Sequence, residues 1–83
     1  MARVVSVGTG HQDVRPHDSH VDCFVQVIRD VHNETLVHIN TFGSTSRQSP
    51  PKSSQSMQFD EAMATALVSR FVGAFGTKIL PSP

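Results

Sequence analysis

Only one cysteine, Cys23, and neither tryptophan nor tyrosine occur in these 83 residues. A lone thiol excludes an intrachain disulfide framework, and no paired-cysteine zinc spacing is present, so two common staples of small domains are missing. Charge of a single sign is missing too. Seven basic residues balance seven acidic ones, which speaks against the electrostatic grip of an avid DNA binder. No apolar run approaches the roughly 18 residues of a membrane span, and no apolar leader follows Met1. The expectation is a cytoplasmic protein with no membrane partner.

What is there fills one small domain, 1–83, with a mobile N-terminal segment over 1–20, a body over 21–76 and a short tail over 77–83. A chain of this length buries only roughly 60% of the surface its unfolded form exposes. With no disulfide or metal to help, self-association is the usual remaining route to a sufficient core, and a homo-oligomer, a dimer or larger, is expected. The charges are less even than their sum. Arg47, Lys52, Arg70 and Lys78 lie in the C-terminal half, opposed there only by Asp60 and Glu61.

The best-marked element is a helix. Asp60 stands where its carboxylate can accept the free amide protons of a first turn, and Glu61 adds negative charge at the positive end of the dipole. Met63, Leu67, Phe71, Ala74 and Phe75 recur at helical spacing, and Gly76 suits the left-handed residue that ends a helix. The pattern predicts a helix over Glu61–Phe75, with Ala64, Val68 and Val72 forming a second apolar strip that faces either the sheet or a partner chain. Leu67 and Phe71 are both expected to face the core.

Ahead of the helix the period is two. Arg3 to Val7 is a candidate first strand, closed by Gly8-Thr9-Gly10, and His11 to His20, with Pro16, reads as a loop. Val21–Val31 and Thr35–Phe42 are β-prone runs separated by His32-Asn33-Glu34, which predicts a hairpin. A three-residue loop there sets Val27 opposite Ile39 and Phe24 opposite Phe42. One face then carries Val25, Val27, Val37 and Ile39 toward the helix. The other shows Phe24, Ile28, Leu36 and Phe42 among Gln26, His38 and Asn40. Gly43–Gln55 is a Ser- and Pro-rich loop holding Arg47 and Lys52, and Ser54–Phe59 alternates as a strand leading into the helix. The fold class is α+β, a three- to four-stranded antiparallel meander followed by one C-terminal helix packed on the sheet.

Catalytic chemistry is not legible. Seven potential metal ligands, His11, Asp13, His17, Asp18, His20, Asp22 and Cys23, fall within thirteen residues, yet without a ligand spacing that zinc sites use. Cys23 falls on the core-facing parity of its strand, as an inert thiol would. The serines between Ser44 and Ser56 lack a nucleophile elbow, and no carboxylate pair is set apart as acid and base. The expectation is a non-enzyme with no cofactor and no metal. The hairpin's outward face is richer: Phe24 and Phe42 beside Arg29, His38 and Asn40 combine rings and polar donors as single-strand binders do, with Arg47 and Lys52 for phosphates. The competing interpretation of the same two rings is a second hydrophobic layer or an oligomer interface.

The order of elements, Leu36 to Phe42, then Arg47 to Lys52, Ser54 to Phe59 and the Asp60-Glu61 helix start, resembles the positive-cofactor-four type of single-stranded-DNA-binding transcriptional coactivator. The resemblance covers about Val21 to Gly76 and rests mainly on that order. It implies a curved antiparallel sheet with one helix and a module for single-stranded nucleic acid, for which the residues read above are Phe24 and Phe42 for stacking and Arg29, Arg47 and Lys52 for phosphates. Neutral charge favours the alternative, an oligomeric accessory protein that binds other chains and no nucleic acid.

Overall fold

The computed structural model describes residues 1–43 and 53–82. Strands β1 (Ala2–Arg3), β2 (Asp22–Arg29), β3 (Thr35–Phe42) and β4 (Ser53–Phe59) are followed by helix α1 (Glu61–Phe75) and a 3-10 turn, Thr77–Ile79. The strands form one sheet in the order β1-β4-β3-β2, and α1 packs against β3 and β4. The α+β class and the single C-terminal helix are as the periodicities predict.

The sheet is mixed, which corrects a purely antiparallel meander. β2, β3 and β4 are antiparallel neighbours, but β1 runs parallel to β4, with Ala2 beside Met57 and Arg3 beside Gln58. Parallel neighbours require a long connection, and the chain between Arg3 and Ser53 supplies it by containing the whole hairpin. The Arg3 guanidinium holds this edge in place. It reaches Glu34 at 2.7 Å, Asp60 at 3.5 Å and Asp30 at 3.8 Å, tying β1 to the hairpin turn and to the start of α1. The first residues therefore belong to the sheet and not to a detached arm.

The hairpin turn sits one residue earlier than its sequence suggests. Asp30 and Glu34 close it, the Asp30 N–H donating to the Glu34 carbonyl at 3.0 Å. The Asp30 carboxylate accepts from the backbone N–H groups of His32 at 2.8 Å and Glu34 at 2.9 Å. Asn33 adopts the left-handed conformation at φ 63°, which asparagine tolerates better than most residues. The three-residue loop is thus Val31-His32-Asn33, and the register moves by two: Val27 opposes Val37, and Phe24 opposes Asn40. An even shift leaves every side chain on its expected face.

Coverage of the expected helix-facing side is divided by strand: Val37 and Ile39 on β3 are half-buried, but their β2 neighbours are open. Val25 and Val27 are 64% and 69% exposed, so the helix does not cover them. On the other face Ile28, His38, Asn40 and Phe42 are half-buried and Leu36 is buried. Leu36 and Phe59 are the buried large apolar side chains among the described residues, and they lie on opposite faces.

Helix α1 starts and stops where its residues dictate. Asp60 is its N-cap, the carboxylate accepting the Met63 N–H at 2.9 Å. At the far end Gly76, at φ 85°, donates its N–H to the Val72 carbonyl at 2.7 Å. Met63 and Leu67 are half-buried, but Phe71 and Phe75 are exposed, so only the first half of the predicted stripe meets the sheet. The Met63 hydrogen bond, helped by Arg3 against a desolvation that pushes the other way, holds the Asp60 carboxyl below its ordinary range. A depressed carboxyl contributes stability that is present above its unfolded value near 3.8 and is lost as pH falls through the folded value. The melting temperature of the parent should therefore drop more steeply than that of Asp60→Asn on acidification from neutral pH to below that value, closing the gap between them; parallel melting curves would show that the cap is not ionised in the fold.

Candidate nucleic-acid interface

Alternation along β2 and β3 places Phe24 and Phe42 on one face, together with His38 and Asn40. Asn40 is the direct partner of Phe24, and Phe42 stands diagonally beyond it. The two rings meet edge to face, with centroids 5.2 Å apart and planes at 84°, a preferred aromatic geometry. Phe24 is 54% exposed, whereas Phe42 is half-buried. Phe24 therefore presents the open ring and Phe42 its support. Further along the face His38 Nδ1 and Gln58 Nε2 are hydrogen-bonded at 3.1 Å. The Oδ1 of Asn40, which stands between His38 and Phe42 along this face of β3, is buried with no hydrogen-bond partner among the described residues. Such an atom costs about 1–3 kcal/mol.

The structure does not bring Arg29 to this group. Odd numbering puts it on the opposite face, five positions from Phe24, or about 16 Å along the strand. Its guanidinium donates instead to the Asn33 carbonyl at 3.4 Å. Arg47 and Lys52 lie outside the described residues. β3 ends at Phe42 and β4 begins at Ser53, its register partner, and both basic residues fall between these two in sequence. Arg70, on α1, is hydrogen-bonded to the Thr9 hydroxyl.

One further expectation about chemistry changes. Cys23 is exposed, not buried, as are Val25 and Val27 on the same side of the edge strand β2. Among the described residues no three His, Cys, Asp or Glu side chains converge as metal ligands would. A cleft of about 570 Å³ opens between the start of α1 and the Val37 side of the sheet, floored by Phe59, Ala62 and Ala64 and rimmed by Glu34 and Glu61. It includes none of Phe24, Arg29 or Phe42. Nothing in the sequence marks it, since its lining comes from β3, β4 and α1 together. The role of Arg3 was equally hidden, because its three carboxylate partners are distant in sequence.

Among the described residues no helix is long and apolar enough to cross a membrane. No protein-family model matches the chain, and no curated protein or solved structure matches it. The chemistry of the aromatic face must therefore be argued from its own residues.

Proposed function

We propose that this chain is a small, self-associating, non-catalytic binding module that holds an unstacked single-stranded nucleic acid against the Phe24–Phe42 end of its sheet, in the manner of the coactivator type it resembles. The observation that supports this most is the half-exposed Phe24 ring, buttressed edge-on by Phe42. A base can stack on a ring held in that way without the protein having to order it first. Arg47 and Lys52, in the stretch that joins Phe42 to Ser53, are the phosphate partners, and Arg29 is left out of the site. Neutral net charge makes the binding stacking-dominated and modest.

The test is titration of a fluorescent oligonucleotide with the full chain at two salt concentrations. Affinity should fall with salt at a slope of roughly 0.7 per phosphate contact. Phe24→Ala should weaken binding by roughly 5- to 150-fold, corresponding to about 1–3 kcal/mol for one stacked base. Folding should be retained, since that ring is half in solvent; Phe42, more deeply set, is the poorer probe. No binding at low salt would overturn the proposal.

One observation favours a second reading. Val25, Val27 and Met57 on the sheet, and Val68, Phe71 and Phe75 on the helix, are all exposed, more apolar surface than single scattered residues account for. On that reading the module joins protein chains only. Phe71→Ala would then alter its assembly, and no oligonucleotide would bind.

A further inference from the structure

The two edges of the sheet are very unequal. One is β1, two residues long and pinned by Arg3. The other is β2, eight residues long, without proline or lysine, and charged only at its ends by Asp22 and Arg29. A long edge without such protection is a template for pairing with another strand.

Backbone parity shows which groups are unpaired. The Asp30 N–H bonds the Glu34 carbonyl, and the register continues that pair through Ile28–Leu36, Gln26–His38, Phe24–Asn40 and Asp22–Phe42. In an antiparallel ladder hydrogen-bonded and non-bonded pairs alternate. The even residues of β2 therefore turn their N–H and C=O groups toward β3, and Cys23, Val25, Val27 and Arg29 turn theirs outward. Val25 and Val27 are also the β2 valines with bare side chains.

We infer that β2 pairs antiparallel with β2 of a second copy, joining two four-stranded sheets into one of eight strands. This rests on the chain being self-associating and names the surface that does it. A two-fold axis perpendicular to the sheet pairs residues of equal parity, so like faces join. Centring it on Gln26 sets Val25 against the partner's Val27, Phe24 against the partner's Ile28 and Cys23 against the partner's Arg29. All four outward-turned residues of each strand then find backbone partners within the strand. Centring it on Val25 would leave Arg29 opposite Val21, beyond the strand's end. The strand is thus complementary to itself, and this selects a second copy over a foreign strand. Asp22 comes opposite the partner's Asp30, whose carboxylate is turned into its own hairpin loop. The Phe24 rings of the two copies lie on the same face of the joined sheet, on either side of the axis, so one strand of nucleic acid could run across both.

The experiment uses the full chain with Cys23→Ser, carrying either Gln26→Cys or Val25→Cys, under mild oxidation. In the inferred register Gln26 faces its own copy at a non-hydrogen-bonded pair, where Cα atoms are about 4.5 Å apart and a disulfide fits. Val25 is displaced by two positions from its copy. Gln26→Cys should become a covalent dimer and Val25→Cys should remain reducible to a far smaller dimer fraction. Val27→Pro removes an N–H that the chain does not use internally, which an edge strand tolerates. It should keep the parent's circular dichroism and weaken dimerisation on the order of 30-fold, for two lost hydrogen bonds per dimer. If it fails to fold, the cysteine pair decides. A dimer by sedimentation that cross-links no better at position 26 than at 25 overturns this interface while leaving self-association standing. A monomer at micromolar concentration overturns both.

Discussion

Phe59→Ala is expected to cost about 3–5 kcal/mol, the range for emptying a buried phenylalanine site. A domain of 83 residues has a total stability of roughly 4–12 kcal/mol, so this one change should remove about a quarter of it or more. The ring is 5% exposed and sits at the joint between sheet and helix. It ends β4, pairs with Val37 and precedes the N-cap Asp60. Ala64 lies four positions after that cap, and the two side chains share the floor of the cleft, the arrangement of a hydrophobic staple that fixes the angle at which a helix begins. Loss of the ring should therefore loosen α1 against the sheet as well as lower the urea midpoint. A variant that unfolds at the parent's midpoint would mean that the helix does not depend on this joint.

Leu36→Ala should cost about 2–5 kcal/mol, and its importance lies in which face it probes. Leu36 is 3% exposed and stands opposite Ile28 on the face that also carries Phe24 and Phe42. If that face is covered as the structure has it, the loss should match that of a core leucine and lower the urea midpoint without changing the slope of the transition. A cost below 1 kcal/mol, in the range of an exposed position, would show that this face is open. Both variants should be measured at several protein concentrations, which separates a loss within the fold from any loss in the proposed self-association.

The contrast between Phe59 and Phe71 shows where sequence patterns stop being informative. Both are apolar at positions whose period points inward, yet Phe59 is buried and Phe71 is 49% exposed. Periodicity orders residues around a helix axis, but it does not say how far along the axis the neighbouring sheet extends. Here the sheet meets only the first part of α1. The same limit applies to Val25 and Val27, whose alternation with polar neighbours is right while the edge strand they stand on is left uncovered. For the candidate site, parity was enough to put Phe24 and Phe42 together. Arg29, of the opposite parity, stands on the other face.

Local chemistry, then, determined the elements by itself. Asp60 and Gly76 bound the helix because a carboxylate satisfies free amides and glycine accepts a positive φ, both interactions within a few residues. Strand β3 follows from its own β-branched and aromatic residues in the same way. The tertiary structure alone decided the two-residue register shift, the parallel β1, the three-carboxylate setting of Arg3 and the coverage of each face. Those depend on groups far apart in the chain, and a local pattern holds no record of which distant groups will meet: Asp30 competes for the turn through its own side-chain hydrogen bonds, and Arg3 finds Glu34 and Asp60 only once the hairpin has brought them to the same edge.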